Sequence, residues 1–219
     1  IAAAAFFLDM LLIPLCRPVI DLTGRWLLGE ILCIVLALLP GLALGRWTAQ
    51  RRNLIGRSLL QAAGFAGLTL GVLPAVILAQ TGGSLTALLA RPGWQLSLGG
   101  QVIFLIAVLG LSATQELALR GQGTPLPQDP TRRLVYSGPY AYLANPMQLC
   151  MALMLVALGA MLHSAPVAGA GLMVVVFSAG LAEWHEGQLL QARFGALYTA
   201  WRQQVLSLIH ISEPTRQIR

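Results

Sequence analysis

The sequence predicts an all-α protein: a polytopic membrane bundle of about six transmembrane helices, followed by a C-terminal amphipathic helix. Three observations predict it. The chain of 219 residues is 57% hydrophobic and 10% charged, against about 25% charged in a soluble domain. Its apolar runs alternate with short loops that carry arginine. Those arginines also alternate in density from loop to loop, as they do in membrane proteins. The same composition excludes an ordinary soluble domain and a disordered chain. With three cysteines it is not a disulfide-stapled secreted module either.

Apolar segments are expected at 2–15, 26–44, 58–79, 96–119, 147–162 and 166–182, judged against the ~20 residues of a full span. The first is short, and the chain opens at Ile1 inside an apolar run. The natural start is therefore expected to be missing, and no signal peptide can be argued. In the second and third segments, Gly41 with Gly45 and Gly67 with Gly71 are spaced for close helix packing. Pro40 and Pro74 are expected to kink those helices. The fifth and sixth are joined only by His163-Ser164-Ala165 and should form a tight hairpin. Cys16, Cys33 and Cys150 stand apart on apolar segments without metal spacing. They read as free core thiols, and no metal is expected.

There is no lysine; the net charge of +6 is carried by arginine. Loops after the second, fourth and sixth segments hold Arg46, Arg51, Arg52, Arg57, Arg120, Arg132, Arg133, Arg193 and Arg202. The other loops hold Arg17, Arg25 and Arg91. Nine against three puts the richer face, with the 120–145 loop and the tail after Glu183, in the cytoplasm. Trp26, Trp47, Trp94, Tyr140 and Tyr142 fall at segment ends, where interface aromatics sit. No basic run is interleaved with aromatics, so no nucleic-acid partner is expected. The run from Leu206 to Arg216 resembles the translation of a transposon-based sequencing adapter. Residues 206–219 are accordingly expected to be a non-native tail. That leaves 1–95 as N-terminal segments of unassigned role and 96–205 as the core that carries chemistry.

The one long polar connection runs from Arg120 to Asn145, and a loop of that length is commonly functional. Gly121 and Gly123 do not make a dinucleotide fingerprint, since the third glycine, the strand and the acidic residue are missing. Asn145-Pro146 reads as an N-cap followed by proline at the first helical position. Ser137-Gly138-Pro139 reads as a turn. Glu116 and Arg120, four apart, should pair. Beyond the hairpin, Glu183 and Glu186 share a helix face beside His185. Leu190, Phe194, Leu197, Trp201 and Val205 then recur at helical spacing, as an interfacial helix would show.

Leu134-Val-Tyr-Ser-Gly-Pro-Tyr-Ala-Tyr-Leu-Ala-Asn-Pro-Met147, a short hairpin, and then Glu186-x-x-x-Leu190-x-x-x-Phe194-Gly195-x-x-Tyr198 together resemble one family. It is that of the isoprenylcysteine carboxyl methyltransferases and phospholipid methyltransferases, which are integral membrane enzymes. The resemblance covers about Arg132 to Val205. It implies S-adenosylmethionine as cofactor, bound at the cytoplasmic face without a Rossmann domain. It further implies that Val135, Tyr136, Ser137, Gly138, Tyr140, Tyr142, Asn145, Pro146, Gln148 and Leu149 wall the cofactor. Glu186 takes the place of the family's acidic residue, and Phe194 and Tyr198 pack the closing helix. Methyl transfer needs alignment in a dry pocket more than a nucleophile or metal. If the acceptor is an amine, Glu183, His185 or a tyrosine could take its proton.

The chain departs from the family pattern at Ala144, Gln148, Cys150, Ala182 and Gly187. Ala182 stands where the prenylcysteine enzymes carry an arginine suited to a substrate carboxylate, which argues against that substrate. The reading is thus a methyltransferase of a bacterial inner membrane, acting on a lipid-like or hydrophobic small molecule. Two others stay open. One is a steroid-reductase-type enzyme using NADPH, with Arg132 and Arg133 near its 2′-phosphate. The other is a non-enzymatic membrane protein that keeps the fold, with Asp9, Glu30 and Glu116 as its intramembrane acids.

Overall fold

A computed structural model describes residues 2–12, 15, 24, 26–125, 129–178, 180 and 183–205. Among them the regular elements are all helical. The chain divides into two compact units, 1–53 and 54–219. The smaller holds α1 (Ala2–Leu12) and α2 (Trp26–Ala49). The larger holds α3 (Leu54–Gln80), α4 (Gly93–Leu119), α5 (Pro146–Leu162), α6 (Ala165–Phe177), α7 (Glu183–Phe194) and α8 (Ala196–Arg202). Helices α2, α3 and α4 are long and apolar enough to cross a membrane, while α5 and α6 are apolar and shorter. Much of their apolar surface is uncovered: Leu98, Phe104, Leu105 and Leu109 of α4 are all more than half exposed. A soluble monomer rarely shows so continuous an apolar face, and lipid is the solvent that suits it.

The two prolines act through a widened turn. Pro40 and Pro74 have no N–H to give to the carbonyl four residues back. Each is preceded by a π-helical turn, Ile34–Leu38 and Gly67–Val72, after which the helix resumes. The expected distortion is therefore a π-bulge within a continuous helix.

The α5–α6 hairpin forms where the sequence places it. His163 takes the left-handed conformation at φ 54°, and Ser164 N–H reaches back to the Gly159 carbonyl at 2.8 Å. The Ser164 hydroxyl then caps α6 by accepting from Val167 N–H. Arg91 ties this turn down, donating to the Leu162 carbonyl at 2.9 Å and meeting His163 Nδ1 at 3.0 Å. Leu78, Leu155, Leu158, Leu162 and Val167 form the buried core beneath it.

Close packing uses other glycines than the sequence suggested. A Cβ on Gly159 would lie 2.4 Å from the Ala168 backbone nitrogen, and one on Gly171 would lie 2.8 Å from the Ala152 carbonyl. Gly67 and Gly71 meet nothing within 4 Å in their unit, and neither do Gly41 and Gly45 in theirs. Spacing alone marks a smooth helix face; it does not say which face meets a neighbour. Cys150 is a buried free thiol, but Cys33 is exposed, so it is not the core thiol expected. Cys16 and the tail 206–219 lie outside the described residues.

Candidate active site

The loop after α4 folds back on itself before it reaches the motif residues. The Gly121 carbonyl accepts from both Arg132 N–H (2.7 Å) and Arg133 N–H (3.2 Å), and Thr124 N–H donates to the Asp129 carbonyl at 2.9 Å. This brings backbone against backbone. A Cβ on Gly123 would sit 2.5 Å from Thr131, which is the physical reason for the glycine. Asp129 also takes an ion pair at 2.5 Å from Arg57, a buried guanidinium on α3. Helix α3 thereby holds one end of the loop.

Glu116 holds the other. Its carboxylate accepts from the Ser137 hydroxyl at 2.5 Å and pairs with Arg120 Nε at 3.0 Å, the pairing that their spacing predicted. Gly138, at φ 58°, lies against the same side chain, and a Cβ there would come within 2.8 Å of Glu116 Cγ. One carboxylate on α4 therefore fixes the Ser137-Gly138 turn. Below the turn, Val135 and Tyr140 are buried with Ala113, and Leu117 and Met147 close around them. The start of α5 is held from α4 by Thr114, whose hydroxyl reaches Met147 Sδ at 3.4 Å.

The C-terminal helices cover this layer. Gly195 takes φ 53° and ψ −124°, which breaks the expected single helix into α7 and α8. Leu190, Phe194, Trp201 and Val205 of the expected stripe nevertheless pack together across the break. Tyr198, Trp201 and Val205 turn inward and pack with Leu134, Ala144, Leu190 and Phe194. Leu197, the fifth residue of that stripe, is 71% exposed. Trp201 Nε1 donates to the Tyr140 carbonyl at 2.9 Å, bonding α8 to the motif loop.

Tyr140 sits at the centre of the assembly. Its sequence position suggested an interface aromatic, yet it is buried, and its hydroxyl has no hydrogen-bond partner. Burial, and then the nearby charge of Glu186, push its phenol well above its ordinary pKa. The same two causes raise Tyr198. The charge of Glu186 thus acts on two tyrosines, one from the loop and one from α8.

The remaining motif residues divide. Asn145 and Pro146 open α5 as expected, with Pro146 fully buried. Asn145 does not act as the side-chain cap, however. Its backbone sits at φ −127°, ψ 65° and its amide makes no capping bond. Gln148 accepts a hydrogen bond from the buried Ser178 hydroxyl and so joins the start of α5 to the end of α6. Leu149 is half-buried on α5, whereas Tyr136 (69%) and Tyr142 (72%) are exposed on the outer side of the loop. The side chains of Glu183 and His185 lie outside the described residues. Two contributors escaped the sequence reading, namely the bond from Glu116 to Ser137 and the pair of Arg57 with Asp129. The only hint of the first is a glycine at 138, next to the serine that Glu116 binds.

Residues 94–196 match the family model described as phospholipid methyltransferase. No curated protein and no solved structure matches the chain. The matched segment runs from the start of α4 to the start of α8 and contains the first motif half and the second as far as Gly195, with Tyr198 just beyond it.

Proposed function

From the match of residues 94–196 to the phospholipid methyltransferase family, in a chain with helices able to cross a membrane, we infer S-adenosylmethionine-dependent methyl transfer. The acceptor is a lipid-like or hydrophobic small molecule, and the reaction takes place at the arginine-rich, cytoplasmic face. One observation carries this reading: the buried, unpartnered hydroxyl of Tyr140 within the field of Glu186. A buried hydroxyl without a partner is costly, by about 1–3 kcal/mol. A polar, cationic ligand alongside it would relieve that cost.

The residues present fit the cofactor. Glu186 supplies a carboxylate near Tyr140 and Tyr198, suited to an ammonium or to the positive charge of a sulfonium. Tyrosine faces favour the same charge. The Asn145 amide, which does not cap α5, offers both a donor and an acceptor. Ser137 and Gly138, fixed by Glu116, form a rigid turn against which the ligand backs. When bound, S-adenosylmethionine supplies an activated methyl group. The protein's part is to align the acceptor with it and exclude water, worth about 7–11 kcal/mol in well-oriented cases. With its pKa raised, Tyr140 remains a hydrogen-bond donor and is not the base. For an amine acceptor, Glu183 or His185 takes the proton; for a carboxylate acceptor, no base is needed.

The test is parallel titration of the detergent-solubilised protein with S-adenosylmethionine and NADPH. Saturable S-adenosylmethionine binding is expected. Glu186→Gln, Asn145→Ala and Tyr140→Phe should each weaken it about tenfold, the size of one hydrogen bond to a charged group. Binding of NADPH alone would transfer the protein to the reductase reading. Binding of neither by a folded sample would leave the non-enzymatic one.

A further inference from the structure

The smaller unit ends in a feature that methyl transfer does not use. Helix α2 closes with a left-handed residue, Arg51 at φ 50°. Arg51 N–H bonds the Thr48 carbonyl at 3.1 Å, and Arg52 N–H folds back to the Trp47 carbonyl at 2.9 Å. Glycine is the usual residue at such a position, because a side chain there is strained. The fold-back carries Arg52 over the last turn of the helix. An open cleft of about 500 Å³ results, lined by Leu42, Ala43, Arg46, Trp47, Gln50 and Arg52, with Asn53 at its end.

The lining is divided by chemistry. Leu42, Ala43 and Trp47 give an apolar wall continuous with a membrane-spanning helix. Arg46 and Arg52 give a cationic rim at the end of that helix. Neither makes an ion pair among the described residues. No acid stands anywhere between Glu30 and Glu116 in the sequence. Of the four arginines from 46 to 57, only Arg57 has a carboxylate among the described residues, Asp129. Two guanidiniums without an ion pair among the described residues, set above an apolar wall, fit a phosphodiester whose acyl chains run down the helix.

We propose that this cleft is a binding site for an acidic phospholipid, with Arg46 and Arg52 on the phosphate and Trp47 against the glycerol and upper acyl chain. Arg51 lies in the same basic run but outside the lining, so it separates a built site from general attraction to an anionic surface.

The experiment uses the full chain in a zwitterionic detergent. It is titrated with phosphatidylglycerol brominated on its acyl chains, and tryptophan quenching is followed. Brominated phosphatidylcholine and inorganic phosphate serve as comparison ligands, and Trp47→Phe identifies the reporting indole. Saturable quenching by phosphatidylglycerol is expected, at least tenfold tighter than by phosphatidylcholine and largely lost in Trp47→Phe. Arg46→Gln and Arg52→Gln should each weaken it about fivefold, in keeping with one arginine near an anionic headgroup. Arg51→Gly, which removes the same charge and relieves the left-handed strain, should change it less than twofold. Three results would each overturn the site: equal affinity for the two lipids, a loss in Arg51→Gly equal to that in Arg52→Gln, or displacement of the lipid by millimolar inorganic phosphate.

Discussion

Two regions of the larger unit are held together by different means. At the α5–α6 turn, helices meet through glycine and aliphatic side chains, with Gly159 on the Ala168 backbone and Leu155, Leu158 and Val167 filling the space. Arg91 is the polar clamp there. Around the 120–145 loop, the elements are tied by polar side chains: Arg57 to Asp129, Ser137 to Glu116, and Trp201 to the Tyr140 carbonyl. The first region is a scaffold held chiefly by apolar packing. The second is a polar surface held in place by bonds that leave the Tyr140 hydroxyl unsatisfied. A binding site needs that kind of surplus, and the scaffold lets it persist.

The sharpest way to break the polar region is Asp129→Ala, which strands the buried Arg57 charge. Removing one partner of a buried pair costs about 3 kcal/mol or more, and adding Arg57→Met should restore most of it. Thermal melting of the detergent-solubilised variants reads both. In the scaffold, Gly159→Val drives a side chain into the α6 backbone, an overpacking cost of about 1–3 kcal/mol. Its melting should fall while the affinity for S-adenosylmethionine in the folded fraction is kept.

Glu116→Ala sharpens the contrast, because it should do the reverse. It removes the bond that fixes Ser137-Gly138 and is expected to cost about tenfold in cofactor affinity, the worth of a hydrogen bond to a charged group. Arg120→Ala, which breaks only the exposed partner, should stay within about 1 kcal/mol of wild type by any readout. Hydrogen exchange of residues 134–142 in the ligand-free protein should rise in the first variant and not in the second.

The smallest effect is invisible at neutral pH. Tyr140 and Tyr198 are raised by burial and by Glu186, so the folded protein keeps their protons at pH values where the unfolded chain loses them. Their contribution to stability is complete below the ordinary tyrosine value near 10 and declines as pH rises above it. Melting temperatures from pH 8 to 11 should therefore fall more steeply for wild type than for a Tyr140→Phe, Tyr198→Phe variant.

The contrast also explains what could be read from the sequence. Hydropathy located the six apolar helices and the hairpin found among the described residues, because burial in lipid acts on local runs of residues. Local spacing likewise paired Glu116 with Arg120. It could not give Ser137 to Glu116, 21 residues apart, or Asp129 to Arg57, 72 apart, since such bonds leave no periodic trace. Helical periodicity grouped Leu190, Phe194, Trp201 and Val205, which do pack together, but it put Leu197 in the stripe where Tyr198 is the buried neighbour. The Gly67 and Gly71 pair shows the same limit, since a small-residue face needs a partner that spacing does not name. The motif loop was recognisable as a string of residues, but its division into the buried Val135 and Tyr140 and the exposed Tyr136 and Tyr142 appeared only once the chain was folded.

The account stands or falls on methyl transfer itself. Membranes containing the protein are incubated with S-adenosylmethionine labelled in its methyl group, and label is followed into the organic-phase extract. Label is expected in a hydrophobic product, reduced at least tenfold by Glu186→Gln and by Glu116→Ala. Equal label from wild type, both variants and membranes lacking the protein would contradict it.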